Sequence, residues 1–386
     1  KAAANEMKGR FQELCPGTRG VTFGTFHSVF FWMLRNAYNY TAANIVTDSE
    51  KYGAIRDSID RHGFRYDSQE DFAKNVVGEI GNVKSGRVSL ENYESTTMKL
   101  EDFRIVYDEY ENFLRRCGKI DFDDMLVFTY ELLSERPDIL KMWQNKFRYI
   151  LIDEFQDINM IQYDIVKLLA GERQNVFSVG DDDQSVYGFR GAAPAIMKKF
   201  PEDFHGTVIE YLNVNYRCSY DIVECSKRII QNNRDRYEKQ LRSAFAAGQS
   251  DRVHIVKTDS MTEQNKKIID RITELNRAGI PYREMAIIFR TNTEPRALAS
   301  KLMENGIPFL MKDNIPNIFT HFLAENIFDY IRLARGSRDR RTVLRIINKP
   351  NRYISRDAFD SPVVNFEELR QNYKDKYRIV NNINVL

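Results

Sequence analysis

The amino-acid sequence predicts an α/β protein with two parallel sheets, and three observations point to this class. Short apolar runs at residues 149–152 and 176–179 are separated by a segment whose apolar residues recur at helical spacing. A second alternation of this kind begins after Asn215. The chain of 386 residues is too long for one ordinary domain, so roughly two to four domains are expected.

The bulk composition is typical of a soluble globular chain, with 42% hydrophobic and 29% charged residues. The chain has 57 basic and 55 acidic residues, so its net charge is small. Any positively charged surface that binds nucleic acid must therefore be confined to one part of the protein. The 4 cysteines lack Cys-x-x-Cys spacing, which indicates reduced thiols in a cytoplasmic protein. The apolar stretch at 29–34 is far too short for a membrane span, and no signal-peptide pattern is present, so no membrane partner is expected.

The first part of the chain predicts mostly helices. Residues 2–14 form a helical pattern that Pro16 and Gly17 end, and residues 21–26 predict a short strand. Residues 29–118 are rich in charge and aromatics and predict a helical insertion, with its loop expected at 78–86. Helical spacing inside it joins the residues Phe103, Val106, Tyr107, Tyr110 and Phe113.

The next part predicts a β-α-β unit. A helix at 122–133 precedes the strand at 149–152, and a helix at 160–170 leads to the strand at 176–179. The two strands should be parallel, with a right-handed crossover between them.

A second α/β unit is predicted after Asn215. Its expected strands lie at 253–256, 285–289 and 308–311, and its expected helices at 262–277 and 293–306. The tail from about residue 337 is basic and partly helical, without an obvious fold of its own.

Polar clusters follow both strands of the first β-α-β unit. Asp153 and Glu154 follow the first strand, and Gln184 closes an acidic run at 181–183 after the second. Acids and an amide at the carboxyl edge of a parallel sheet suit Mg²⁺ and a nucleotide, with one carboxylate on the metal and its neighbour on the attacking water. A helix cap and a solvated turn are the alternatives. No Gly-x-x-x-x-Gly-Lys-Ser/Thr loop occurs in the chain.

Three further segments have two interpretations each. The aromatic and basic run 187–190 is either a packed loop or a platform for nucleic-acid bases, and residues 25–28 allow the same choice. His27 alone is more often structural than catalytic. Residues 215–217, Asn-Tyr-Arg, are either a helix start with an Asn cap or a source of an arginine for phosphate.

With these segments in order, the chain resembles the UvrD/Rep-type superfamily 1 DNA helicases. The segments that carry the resemblance are 1–7, 24–28 (Gly-Thr-Phe-His-Ser), 120–124 (Ile-Asp-Phe-Asp-Asp), 153–157 (Asp-Glu-Phe-Gln-Asp), 180–192 (Gly-Asp-Asp-Asp-Gln-Ser-Val-Tyr-Gly-Phe-Arg-Gly-Ala), 215–217 (Asn-Tyr-Arg) and 290–292 (Arg-Thr-Asn). The long run at 180–192 is the most specific of them.

The resemblance implies a role for each matching residue. Asp153 would hold Mg²⁺, Glu154 would activate water, and Gln184 would sense the γ-phosphate of ATP. Tyr216 would stack on adenine, and Arg217 would act as an arginine finger. Contacts to single-stranded DNA are implied for Thr25, Phe26, His27, Tyr187, Phe189, Arg190, Arg290 and Asn292. Phe189 stands where many members of the family carry tryptophan.

The resemblance also implies two RecA-like lobes with helical insertions, both incomplete in this chain. The expected bounds are 1–28 and 119–213 for the first lobe, 29–118 for its insertion, 214–335 for the second lobe, and 336–386 for the start of its insertion. The phosphate loop and the late motifs are expected outside residues 1–386. Since Lys1 is not methionine, the chain is expected to be a fragment or a processed form. Without the phosphate loop, it is expected to be inactive alone.

The implied function is an ATP-dependent helicase or translocase on single-stranded DNA and its junctions with duplex. It would run 3′ to 5′ and serve DNA repair or replication. A helicase subunit of a recombination nuclease is a close alternative, and a relative that binds DNA without hydrolysis is a more distant one. Protein partners are not implied.

Overall fold

The structure is a computed structural model. It describes residues 2–64, 69–86, 88–91, 93–185, 195–234, 236–248, 252–291, 294–311, 322–355, 358–359 and 361–385. The chain forms two compact units, Lys1–Val253 and His254–Leu386. Among the described helices, none is both long and apolar enough to cross a membrane.

The first unit combines helices with short parallel strand pairs. Its helices are α1 (Ala2–Leu14), α2 (Phe26–Tyr38), α3 (Asp48–His62), α4 (Gln69–Gly86), α5 (Leu100–Cys117), α6 (Phe122–Glu135), α7 (Pro137–Lys146), α8 (Met160–Ala170), α9 (Ala195–Asp203) and α10 (Tyr220–Ile230). Its strands are β1 (Ile150–Ile152), β2 (Val176–Ser178), β3 (Val214–Asn215) and β4 (Arg242–Ser243). β1 pairs with β2, and β3 with β4, both in parallel. The predicted mixed α/β class with parallel pairing is confirmed at this level.

The helices of the first unit pack around separate apolar clusters. Phe103, Val106 and Tyr110 on α5 are buried in a cluster with α3 and α4, as their helical spacing predicts. A second cluster joins α2 to α6, α7 and α8 around Trp143, which is almost fully buried. A third lies under β1 and includes Phe155. This third cluster supports the turn that follows β1.

The sheet of the first unit differs from the prediction of two buried strands. Ile152 is buried, but Leu151 and Phe177 are largely exposed. Successive side chains of a strand point to opposite faces, so one face of the β1–β2 pair packs on the core and the other is open. No other described strand pairs with β1 or β2.

The strand predicted at 21–26 is not formed. Residues 21–25 have no strand partner, and α2 begins at Phe26. The Thr25 hydroxyl accepts a hydrogen bond from the Ser28 backbone N–H at 3.3 Å. Thr25 is therefore the N-cap of α2, a local preference that outweighs the short apolar run.

The loop predicted at 78–86 is also wrong, because α4 continues to Gly86. Val76, Ile80 and Val83 on one face of α4 are buried in the cluster with α3 and α5. This packing outweighs the low helix propensity of glycine, on which the prediction of a loop depended.

A buried ion cluster joins α4, α5 and α6. Lys84 Nζ lies 2.5 Å from Glu111 Oε1. The same ammonium lies 3.0 Å from Asp121 Oδ2 and 2.7 Å from Asp124 Oδ1. The Tyr110 hydroxyl donates to Asp121 Oδ2 at 3.0 Å. Burial and the Asp121 carboxylate raise the pKa of Asp124 to about 7. Three elements thus depend on one ammonium.

Asp123 lies beside this cluster, where an added Cβ on Gly81 would come within 2.9 Å of its Oδ2. Burial, followed by the Asp121 carboxylate, raises the pKa of Asp123 to about 6. An unfolded aspartate has a pKa of about 3.9, so the folded state binds the proton more strongly. The stability that this proton gives is present at low pH and is lost as pH rises through 6.

The Asp123→Asn variant should therefore be more stable than the wild type at about pH 8, by about 1–2 kcal/mol, and similar to it near pH 4. Urea unfolding of both proteins across this range measures the difference. Asp48→Asn is the matched control, because Asp48 occupies the first turn of α3 and is exposed. A constant difference between Asp123→Asn and wild type at all pH values would contradict the expectation.

The second unit is mainly helical in its described part. Its helices are α11 (Met261–Arg277), α12 (Pro295–Glu304), α13 (Phe322–Ala334), α14 (Arg340–Ile346), α15 (Phe366–Asn372) and α16 (Tyr377–Asn384). The predicted helices at 262–277 and 293–306 correspond to α11 and α12. The predicted strands at 253–256, 285–289 and 308–311 are not formed, since these segments have no strand partner among the described residues. Ile288 and Leu310 there are 93% and 100% exposed.

The tail after residue 337 packs with α13 around an apolar cluster that includes Leu333, whereas the sequence predicted no obvious fold for it. Val343, Ile346 and Phe359 are among its buried residues. Asp329 on α13 is fully buried, and Arg345 on α14 donates to both of its carboxylate oxygens, at 2.5 and 2.8 Å. A bidentate pair of this kind fixes the two helices relative to each other.

Candidate functional site

The β1–β2 pair brings two polar turns to one edge. Ile152 lies opposite Ser178 in the parallel register, so both strands reach their carboxyl ends together. The ladder then continues beyond the strands, since Val179 N–H donates to the Ile152 carbonyl and Phe155 N–H to the Val179 carbonyl, each at 2.9 Å. The turns that start at Asp153 and at Gly180 are therefore adjacent, as the sequence predicts.

Glu154 has an unusual backbone conformation. Its φ of 52° and ψ of 44° lie in the left-handed region, which residues other than glycine rarely adopt. The Glu154 N–H donates to Asp153 Oδ1 at 3.0 Å. Both side chains are exposed at the edge of the sheet. Strained backbone of this kind is often found where a side chain must be aimed at a ligand.

Gln156 links the two turns from a buried position. Its side chain is 1% exposed, and its Nε2 donates to Glu154 Oε2 at 2.7 Å. Its Oε1 accepts from the Asp181 N–H at 3.0 Å. Gly180 makes this approach possible, because an added Cβ would lie 2.8 Å from Gln156 Oε1. Gln156 was not predicted from the sequence as a site residue, although it lies two residues after Glu154 in the segment 153–157.

Gln184 closes the second turn and is exposed. Its Nε2 donates to Asp181 Oδ2 at 2.7 Å. Glu154 and Gln184 are thus connected through Gln156 and Asp181 by successive hydrogen bonds. The two predicted groups belong to one polar network at the edge of the sheet.

The acidic run carries its own counter-charges. Arg236 Nε donates to Asp183 Oδ1 at 2.7 Å and its Nη2 to Oδ2 at 2.5 Å, and this guanidinium lowers the pKa of Asp183. The Lys239 ammonium contacts Asp181, Asp182 and Asp183. The three carboxylates are close enough together to share a cation, and Lys239 supplies that charge.

Neither Arg236 nor Lys239 was predicted from the sequence. They lie 53 and 58 residues from their partners Asp183 and Asp181. No local spacing marks such a contact, so only the folded chain reveals it.

Asn215 ends β3, and Tyr216 and Arg217 follow it in a bend. Asn215 Oδ1 accepts from the Arg217 N–H at 2.9 Å and from the Cys218 N–H at 2.8 Å. The alternative of a helix start is not what forms, because α10 begins at Tyr220 with Ser219 as its N-cap. The Tyr216 side chain is 76% exposed, and Arg217 is exposed as well. Both side chains are accessible to a ligand.

The early aromatic segment lies at the start of α2. Phe26 is half-buried against the clusters under β1 and around Trp143, with its ring centroid 5.6 Å from that of Phe30. His27 packs edge-on against Phe122, and burial lowers the pKa of its imidazole. Burial thus favours the neutral form of the His27 imidazole. Thr25 is occupied as the helix cap.

Of the remaining residues predicted to contact DNA, the structure describes only Arg290. Tyr187, Phe189, Arg190 and Asn292 lie outside the described residues. Arg290 is exposed in the second unit, and its backbone N–H donates to Glu294 Oε2 at 3.1 Å.

The oxygen-rich edge of the sheet is suited to Mg²⁺. Asp153 offers an exposed carboxylate, and hard cations prefer such oxygens. Asp157 Oδ1 is buried and has no hydrogen-bond partner among the described residues. Burial, followed by the Glu154 charge, raises the pKa of Asp157. The Asp153 and Glu154 carboxylates have no counter-charge among the described residues, which is compatible with a bound cation.

Two known domain families together match nearly the whole chain. Residues 1–205 match the UvrD/REP helicase N-terminal domain family, and residues 210–383 match the UvrD-like helicase C-terminal domain family.

Among curated proteins, the chain is 32% identical over 365 residues to the ATP-dependent DNA helicase PcrA of Staphylococcus epidermidis. It is 31% identical over 360 residues to the protein of the same name in Staphylococcus aureus. Each match covers 91% of this chain and 49% or 48% of the relative. The chain thus spans about half the length of the curated relatives it matches.

Proposed function

The chain belongs to the UvrD/Rep-type family of superfamily 1 DNA helicases, and from this premise we propose that the natural protein carrying it is an ATP-driven motor on single-stranded DNA. The observation that carries the proposal is the hydrogen-bonded connection from Glu154 through Gln156 and Asp181 to Gln184. Two relatives named as ATP-dependent DNA helicases support it.

The proposed roles follow from position and chemistry. Glu154 orients and deprotonates the attacking water, and Gln184 contacts the γ-phosphate, each from a turn at the carboxyl edge of β1–β2. Asp153 would hold Mg²⁺, which when bound neutralises charge on the phosphates. Exposed Tyr216 stacks on adenine, and exposed Arg217 contacts phosphate with its planar guanidinium.

The proposed DNA path uses the residues assigned to it by resemblance. Arg290 is exposed and available for a phosphate. Phe26 and His27 are partly buried, so Thr25–His27 would contact DNA mainly through the start of α2 rather than as a free stacking platform. The proposal extends to single-strand junctions, movement from 3′ to 5′, a role in repair or replication, and action in the cytoplasm. It also includes the two RecA-like lobes with the bounds given above.

DNA-stimulated ATP hydrolysis by the natural protein tests the proposal. We expect phosphate release to rise strongly when single-stranded DNA is added, and displacement of a strand next to a 3′ single-stranded tail. DNA binding without stimulated hydrolysis would instead favour the non-hydrolysing relative. Nuclease activity of the natural protein would favour the recombination subunit.

The 386-residue chain by itself is expected to release little phosphate with the same DNA, because it contains no Gly-x-x-x-x-Gly-Lys-Ser/Thr loop to cradle the phosphates. The same assay on the isolated chain measures this. Substantial turnover that Glu154→Gln abolishes would overturn the expectation.

A further inference from the structure

Gln156 connects the two turns that carry the proposed water activator and phosphate sensor. Its amide donates to Glu154 Oε2 and accepts from the Asp181 N–H, and Asp181 in turn accepts from Gln184. We propose that Gln156 is a positioning residue that fixes the Glu154 carboxylate and couples its placement to Gln184. This inference rests on the proposed function.

The side chain at this position must be both a donor and an acceptor. On one side it faces a carboxylate oxygen, which accepts, and on the other a backbone N–H, which donates. A glutamine amide supplies NH₂ and C=O on one planar group, so it satisfies both neighbours in one orientation. The reversed orientation would place two acceptors together and two donors together, so the network itself assigns the amide.

The arrangement leaves little freedom to the groups it holds. Gln156 is 1% exposed, and Gly180 permits its close approach. On the far side, Lys239 contacts Asp181, and Arg236 grips Asp183 with two hydrogen bonds. The turn that carries Gln184 is therefore held in place by these ion pairs. Because Gln156 is hydrogen-bonded to both Asp181 and Glu154, it fixes the Glu154 carboxylate relative to this turn.

The consequence for chemistry concerns the two oxygens of Glu154. Oε2 is held by Gln156, while Oε1 has no hydrogen bond from the described residues. One oxygen is thus fixed and the other is open to a water molecule. Because a misplaced base loses much of its effect, removal of the amide should lower turnover more than ATP binding.

Two substitutions separate positioning from simple packing. Gln156→Met keeps the length of the side chain but removes both hydrogen bonds. Gln156→Glu places a second carboxyl against Glu154, and two such groups share a proton. When that proton is held, the introduced carboxyl donates to Glu154 and accepts from the Asp181 N–H, as the amide does. When it is lost, the two charges repel.

Gln162→Met is the matched control. Gln162 is also buried, and its Oε1 accepts from the Asn159 N–H at 3.0 Å as part of the cap of α8. It contacts neither Glu154 nor the acidic run in the described structure. Its loss reports what a missing buried amide costs without any effect on the candidate site.

The experiment measures DNA-stimulated ATP hydrolysis by the natural protein and these variants. Gln156→Met is expected to lower kcat about 10- to 100-fold, the range typical for residues that orient active groups, with KM for ATP little changed. For Gln156→Glu, the ratio of kcat to that of wild type should rise as pH falls from about 9 to about 6. Gln162→Met should retain kcat.

Wild-type kcat in Gln156→Met, or an equal loss in Gln162→Met, would overturn the inference. If Gln156→Met does not fold, Gln156→Glu decides by comparison with Gln162→Glu, which also places a carboxyl at a buried position but away from Glu154. An equal rise of the kcat ratio in both variants as pH falls would show a purely structural defect and overturn the inference. If the wild-type protein hydrolyses ATP and Glu154→Gln abolishes this activity, but Gln156→Met does not lower it, then the inference about Gln156 is wrong and the proposed function still holds. A wild-type protein without stimulated hydrolysis defeats the proposed function and the inference with it.

Discussion

Replacing Glu154 with glutamine is expected to reduce DNA-stimulated ATP turnover of the natural protein by about 10²- to 10⁴-fold, the usual contribution of a general base. The substitution changes little else. A glutamine can still accept a hydrogen bond from Gln156 Nε2 through its side-chain oxygen, so the hydrogen-bonded connection to Asp181 is kept. What disappears is the negative charge and the capacity to take a proton from water.

Steady-state phosphate release with saturating single-stranded DNA measures the loss, and DNA binding by the same variant should be unchanged. Glu172→Gln is the matched control, because Glu172 is exposed in the turn after α8 and lies outside the network at the sheet edge. If Glu154→Gln kept wild-type turnover, the role proposed for Glu154 would be refuted.

Much of the candidate site follows from local sequence. Apolar runs predict β1 and β2, and parallel pairing places the residues after them at one edge, so the adjacency of Glu154 and Gln184 needs no further information. The bounds of α8 are predicted for a similar local reason, since the helix at 160–170 is expected from its periodic apolar residues; the structure adds Asn159 as its N-cap.

Other parts depend on contacts that sequence does not display. Lys84 was predicted in a loop, yet it pairs with Asp121 and Asp124, which lie 37 and 40 residues away. Arg236 and Lys239 neutralise an acidic run that from sequence alone resembles an open metal site. Long-range charge compensation of this kind is a property of the fold.

The strands expected in the second unit fail for a related reason. Residues 253–256 and 285–289 have the apolar character of strands, but a strand also requires a hydrogen-bonded neighbour. In the described structure neither segment has one, and Ile255 and Ile288 remain largely exposed. Local composition thus predicts the tendency to form a strand and not the pairing that completes it.

Replacing Lys84 with methionine is expected to lower the free energy of unfolding of the chain by about 3–5 kcal/mol near neutral pH, because three acids lose their shared counter-charge in a buried place. The Lys84 side chain is 4% exposed and contacts Glu111, Asp121 and Asp124. A cavity of about 280 Å³ borders Lys84, Glu111 and Asp124. Water entering it would place the loss at the lower end of this range.

The loss of stability in Lys84→Met should depend on pH. Without the ammonium, the folded state holds protons on these carboxyls more strongly than the unfolded state does, so stability is lost as pH rises. The difference between Lys84→Met and wild type should therefore be smaller near pH 5 than near pH 8, as measured by urea unfolding. Lys119→Met is the matched control: Lys119 Nζ lies 2.6 Å from Glu50 Oε1 in a more exposed pair, which is worth about 1 kcal/mol or less. Equal losses in the two variants would show that the buried cluster contributes no more than a surface pair.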